Sequence, residues 1–274
     1  MTVRDLLVAA TDELEQAGVP SPRVDAEWLL AHALGVSRTE LYVDGDEAPA
    51  DRERVFRELV ARRAGREPLA YVLGEWGFRR LSLRVDPRVL IPRPETELLV
   101  ERCLELLADR AEPSVLDVGV GSGAIALAIA DEHPGATVVA TDSSADALAV
   151  AAENVARTGL GVELIEGALF AGLDGPFDLI VSNPPYVTPD EIGALPPEVA
   201  EHEPRAALIE SGATQAIAEQ ALPRLVPGGS LALEVADGRA STVASLLEAL
   251  GYEDVTINED LAHRERVVDG RAPG

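Results

Sequence analysis

Over residues 1–75 the apolar positions keep helical spacing. Val3, Leu6, Leu7, Ala10, Leu14 and Ala17 fall on one face, and Gly18 is placed to close that helix in a left-handed cap. Ser21 followed by Pro22 predicts the start of a second helix, with Ala26, Leu29, Leu30 and Ala33 inward and Gly35 at its end. A short piece follows over Arg38 to Tyr42, then a helix from about Ala50 to Gly65 that buries Val55, Phe56, Leu59 and Val60. Together these predict a small helical bundle. The period then shortens to alternation at Phe78, Leu81, Leu83 and Val85, continuing to Val89 and Leu90, which predicts a β-hairpin linker over 76–90. Ile91-Pro92-Arg93-Pro94 imposes an extended path before a helix through Leu98 to Leu107.

From Ser114 onward strands alternate with helices, the pattern of an α/β fold with a mostly parallel sheet covered on both faces. Strands are expected at Val115 to Val118, Ala136 to Thr141 and Gly161 to Ile165, and again in the run Phe177-Asp178-Leu179-Ile180-Val181. Helices are expected at Ala124 to Glu132 and around Ala147, Leu148, Val150, Ala151 and Val155.

The chemistry gathers at the strand ends. Gly119-Val120-Gly121-Ser122-Gly123 follows the first strand, and glycines there let a ligand approach the backbone closely. That turn alone serves nicotinamide, flavin and S-adenosylmethionine sites alike. Asp142 ends the next strand about twenty residues on, the spacing of an acid that accepts from ribose hydroxyls. Asn183-Pro184-Pro185-Tyr186 ends a later strand, because two prolines cannot continue a ladder. The Asn183 side-chain oxygen and the Pro184 carbonyl can each accept one hydrogen of a planar NH2, with Tyr186 against its flat face. In an open parallel sheet all three stretches converge on one crevice.

Composition narrows the partners. The chain has 274 residues, 47% of them apolar, and a net charge of −25; its 23 basic residues are all arginine. Such a balance opposes tight binding to a phosphate backbone, so no direct nucleic-acid partner is expected. No apolar run approaches the length of a membrane span, and the N-terminus carries acids where a signal peptide would need an apolar stretch; a cytoplasmic protein is expected. The single Cys103 reads as a buried thiol. His32, His133, His202 and His263 are dispersed, so neither a general base nor a metal site is expected.

Several stretches resemble the release-factor glutamine methyltransferases: VLIPRPETE at Val89 to Glu97, GSGAIALAIA at Gly121 to Ala130, DLIVSNPPY at Asp178 to Tyr186, EPRAAL at Glu203 to Leu208 and DLAHRERVV at Asp260 to Val268. The resemblance spans the chain. It implies a Rossmann-like class I methyltransferase domain over 91–274 and a helical substrate-recognition domain over 1–75. It implies S-adenosylmethionine as cofactor and methyl transfer to the side-chain amide nitrogen of the glutamine in the Gly-Gly-Gln motif of peptide-chain release factors, by a chain expected to be a monomer. Carried over by position, Asn183, Pro184, Pro185 and Tyr186 would hold the glutamine. Gly119, Val120, Gly121, Ser122, Gly123, Asp142, Leu169 and Asn183 would hold the cofactor. The chain departs from the family's common pattern at Val120, Ala168, Leu169, His202 and Ser211 to Thr214. An amino-methyltransferase acting on nucleic-acid bases would share Asn-Pro-Pro-Tyr, but the acidic composition and short loops argue against it. A cofactor-binding scaffold that has lost turnover would fit the departures at Ala168 and Leu169, and a nicotinamide dehydrogenase would fit the glycine turn.

Overall fold

A computed structural model describes residues 1–42 and 47–274. The chain divides into two compact units, Met1–Glu75 with Leu195–His202, and Trp76–Ala194 with Glu203–Gly274. Division by sequence alone, into 1–75, 76–90 and 91–274, places residues 195–202 in the third part.

In the first unit, α1 (Val3–Gln16) is started by a capping box: the Asp5 N–H donates to Thr2 Oγ1 at 3.1 Å and the Thr2 N–H to Asp5 Oδ2 at 3.3 Å. Helices α2 (Pro22–Leu34) and α3 (Ala50–Ala64) pack against it through Leu14, Leu29, Leu30 and Phe56, and Gly35 closes α2 in the left-handed region. Arg38 to Tyr42 yields only a 3-10 turn at Glu40–Tyr42. The sequence pattern gave no sign of α4 (Leu69–Leu73), whose five residues, between Pro68 and Gly74, are too few to display a period.

A hairpin of β1 (Glu75–Phe78) and β2 (Leu81–Arg84) follows. Val89 and Leu90 lie outside it, because the chain turns at Asp86, whose carbonyl accepts from the Val89 N–H at 3.1 Å. Helix α5 (Pro94–Leu106) starts earlier than expected: Pro94 takes the first helical position, where no N–H is needed.

The main sheet is built from β3 (Ser114–Val118), β4 (Thr137–Asp142), β5 (Val162–Glu166) and β6 (Phe177–Ser182), with α6 (Ala124–Glu132) and α7 (Ala145–Thr158) between the first three. The short α8 (Pro197–His202) belongs to the first unit. There Glu198 Oε2 meets Arg66 at 2.7 Å and Oε1 meets Arg63 at 2.9 Å, while Arg63 Nε donates to Asp25 at 2.7 Å. Burial works against the Glu198 charge, but hydrogen bonds from Arg66, its own backbone N–H and Arg63 outweigh it and hold the carboxyl at about 2. The rest of the second unit is α9 (Arg205–Leu208), α10 (Ala213–Ala221), β7 (Leu225–Glu234), α11 (Ala240–Leu250), β8 (Glu253–Glu259) and β9 (Glu265–Arg271).

The seven strands lie in the order β5-β4-β3-β6-β7-β9-β8, with β9 antiparallel to both its neighbours. The expected mostly parallel sheet with helices on both faces is therefore present. Alternation along β6 divides the core: Leu179 and Val181 pack with α5 and α6, while Ile180 packs with α10 and α11. Each such fully buried side chain contributes about 1.5–3 kcal/mol. The order reverses between β3 and β6, and a crevice opens there at the carboxyl ends of the strands.

Candidate active site

The glycine turn leaves β3 with Gly119, Gly121 and Gly123 at φ of 84°, 53° and 87°. A side chain at Gly119 would meet nothing within 4 Å, so its backbone angle is what asks for glycine. The turn is tied from several sides. Gly119 and Val120 donate their N–H groups to the Thr141 carbonyl at 2.8 and 2.9 Å, and Gly121 donates to Asp142 Oδ2 at 3.0 Å. Fully buried Asn154 on α7 gives one Nδ2 hydrogen to the Ser122 carbonyl at 2.8 Å, and grips both the N–H and the carbonyl of Arg84.

Two acids stand behind this turn. Asp142 also accepts from the Ser144 N–H, at 2.9 Å, so each of its oxygens holds one backbone donor and keeps capacity for another. Asp117, on β3, is wholly buried; Oδ2 accepts from the Ala126 N–H at 3.1 Å, and Oδ1 has no partner. Burial pushes its carboxyl up to about 7, the Asp142 charge adds to the effect, and the Ala126 N–H opposes it.

Across the switch point, Ser182 Oγ donates to the Val118 carbonyl at 2.6 Å and locks the end of β6 to β3. Asn183 comes next, its Nδ2 3.3 Å from Thr96 Oγ1 on α5. Buried Glu203 accepts from Arg93 at 2.5 Å and from the Ile91 N–H at 3.4 Å, which joins the Ile-Pro-Arg-Pro stretch to the Glu-Pro-Arg stretch. Burial raises the Glu203 carboxyl, against the pull of Arg93.

A cavity of about 330 Å³ opens over these strand ends, within the size range of small-molecule sites. Gly119, Val120, Gly121, Ser122, Asp142, Leu169, Asn183, Pro184 and Pro185 all line it. Gly123 and Tyr186 do not. Gly123 instead caps α6, where an added side chain would meet Leu127 at 3.0 Å. Tyr186 is half-buried; its hydroxyl is pushed up to about 12 by burial and by the Glu234 charge, with Arg93 and Arg266 opposing. His133 is engaged with the Arg110 carbonyl and His263 with Glu259, both away from the cavity lining.

Sequence reasoning passed over Asp117, Asn154 and Thr96. Asp117 had a signal, the acid two residues before the first glycine of the turn, whereas Asn154 and Thr96 meet their partners on other elements, which spacing along the chain does not reveal.

Residues 5–74 match the family described as the PrmC N-terminal domain, and residues 94–260 match the methyltransferase small domain. A methyltransferase structure from Pyrococcus furiosus, 21% identical, overlays with a TM-score of 0.52 on 70% of this chain and 89% of its own, a likeness of fold. The release factor glutamine methyltransferase of Deinococcus radiodurans is 46% identical over 100% of both chains. That of Geobacter sulfurreducens is 45% identical over 98% of this chain and 96% of its own. On identity of this extent over its whole length, the chain belongs to the release factor glutamine methyltransferase family.

Proposed function

We propose that this protein transfers the methyl group of S-adenosylmethionine to the side-chain amide nitrogen of the glutamine in the Gly-Gly-Gln motif of peptide-chain release factors. One observation carries the reading: Asn183 and Pro184 line the same cavity as the glycine turn and Asp142. The residues present suit the cofactor. Asp142 keeps lone pairs for ribose hydroxyls, Ala168 and Leu169 offer an apolar wall for a flat ring, and Asp117 Oδ1, buried behind the turn without a partner, is an acid that a nearby cationic amino group would bring to ionise.

When bound, the cofactor supplies an electrophilic methyl group on a cationic sulfur. An amide nitrogen is a poor nucleophile because its lone pair is delocalised, so the chain must align it. We assign that work to Asn183 Oδ1 and the Pro184 carbonyl, which accept the two N–H bonds and face the positive charge that grows on nitrogen during transfer. Pro184 and Pro185 stiffen the backbone that carries these acceptors. Tyr186 we place beside the glutamine, as a wall and not as an acid or base.

We assign the first unit to recognition of the release factor, and we take the protein to be a cytoplasmic monomer without a direct nucleic-acid partner. Among the described residues no helix is long and apolar enough to cross a membrane. Incubation with labelled S-adenosylmethionine, a release factor and its Gly-Gly-Gln to Gly-Gly-Ala variant tests the function. Label on the first and none on the second is expected; label on both, or on neither, would overturn it.

A further inference from the structure

One stretch that carries the family resemblance, Asp260 to Val268, has no task in the methyl transfer itself. It makes the turn over 260–264 that joins β8 to β9, and the start of β9. A single acid organises this turn. Asp260 Oδ1 accepts from the N–H groups of Ala262 and Arg264 at 2.8 and 3.0 Å, and Oδ2 accepts from Nε of Arg264 and of Arg266 at 3.0 and 3.2 Å. The Asp260 N–H donates to the Arg264 carbonyl at 2.8 Å, and the His263 N–H to the Asp260 carbonyl at 2.9 Å. His263 takes a φ of 58°, in the left-handed region that a side chain enters at a cost. All this constraint buries nothing at the tip. Leu261 is 105% exposed, against 61% for Tyr42, the next most exposed large apolar side chain among the described residues.

Strand order fixes where that side chain stands. Asn183 follows Ser182 at the end of β6; Ser182 pairs with Leu233 on β7, Glu234 pairs with Val267 on β9, and the Val235 N–H donates to the Arg266 carbonyl at 2.8 Å. The turn therefore lies on the carboxyl edge of the sheet, the edge where the cavity opens. With β9 two strand spacings from β6 and β8 three, it stands about 10–14 Å along that edge. A second path leads to the same place. Arg264 and Arg266 each reach Glu95 Oε1 at 3.8 Å, and the residue after Glu95 in α5 is Thr96, whose Oγ1 is 3.3 Å from Asn183 Nδ2. A glutamine that enters the cavity as part of a polypeptide brings its neighbours over this edge. The two glycines before it offer no side chain, so the first side chain on that flank stands three residues away, and three or four extended residues span about 10–14 Å. Leu261 does not line the cavity, and only the chain around the glutamine would cover it. A scattered exposed leucine needs no explanation, but one held on so constrained a turn beside the site does.

We propose that the β8–β9 turn is a docking contact for the protein substrate, in which Leu261 is covered by an apolar side chain of the segment flanking the glutamine, three or four residues from it. The inference rests on the reading that release factors are the substrate. Its test uses the full-length protein and the variants Leu261→Ala, Leu261→Asp and Leu261→Met, with methylation measured across release-factor concentrations at saturating S-adenosylmethionine. The KM for release factor is expected to rise about 10-fold in Leu261→Ala and further in Leu261→Asp, while Leu261→Met, of similar volume, stays within about twofold of wild type. The kcat and the cofactor affinity should each stay within about twofold, because the contact is made equally before and during transfer. An unchanged KM in Leu261→Asp, or a loss confined to kcat, would overturn the inference and leave the methyltransferase reading intact. A wild type that methylates no release factor would sink that reading and the inference with it.

A second measurement locates the contact. The chain's single cysteine, Cys103, is fully buried, so Leu261→Cys supplies one exposed thiol to carry a photo-crosslinker. After illumination with release factor, mass spectrometry of the joined peptides is expected to place the cross-link within about five residues of the Gly-Gly-Gln glutamine, the reach of the turn plus the linker. Cross-links confined to other parts of the release factor, or none although the wild type methylates it, would overturn the inference.

Discussion

Replacing Asp117 by Asn should make the cofactor-free protein more stable above neutral pH and at the same time poorer at binding cofactor. Asp117 is fully buried, one of its oxygens has no partner, and its carboxyl is raised from 3.8 to about 7, chiefly by burial. A carboxyl raised in the folded state makes its full contribution below the unfolded-state value and loses it as pH rises through the folded value. Over about 3 pH units, at about 1.4 kcal/mol each, the loss is about 4 kcal/mol. Asparagine never ionises and keeps an oxygen for the Ala126 N–H, but it sets an unpartnered NH2 in place of Oδ1, at about 1–3 kcal/mol. The net gain at pH 8 is therefore about 1–3 kcal/mol, shrinking to zero or below at pH 5. Urea unfolding followed by circular dichroism from pH 5 to 8 measures it, with an unchanged urea slope as the control. Cofactor affinity, measured by calorimetry, should fall about 10- to 100-fold with the lost charge. A stability difference that did not change with pH, or a less stable variant at pH 8, would refute the claim that this acid is held against its ionisation.

Three further outcomes are expected. Asp142→Ala should weaken S-adenosylmethionine binding by about 1.5–3 kcal/mol in calorimetry, through loss of a charged acceptor for ribose; unchanged affinity would remove Asp142 from the site. Asn154→Ala leaves the Ser122 carbonyl and both backbone groups of Arg84 short of a partner, so urea unfolding should show a loss of about 3 kcal/mol with weaker cofactor binding beside it. Arg63→Ala strips buried Asp25 of its guanidinium partner and Glu198 of one of its two, and should cost about 3–5 kcal/mol, read as a lower melting temperature that Arg63→Lys restores only in part.

What the sequence disclosed about this protein is what neighbours along the chain can encode. The glycine turn, the apolar run of β6 and the proline stop after Asn183 are local, and each lies where the pattern puts it. Helix α4 escaped because five residues carry no period, and the grouping of Leu195–His202 with the helical unit rests on Glu198 finding Arg63 and Arg66, a pairing that spacing cannot reveal. The site divides the same way. Asn183 was legible as a group able to hold an NH2, yet a carboxamide is symmetric in outline, and the sequence around it does not say which end faces the substrate. The contact to its NH2 end comes from Thr96 on α5, 87 positions earlier, a pairing that spacing along the chain cannot reveal. Strand order supplies information of the same kind: only because β7 lies beside β6 in parallel register does Glu234, an acid at the end of an apolar run, stand next to Asn183 at the carboxyl edge of the sheet.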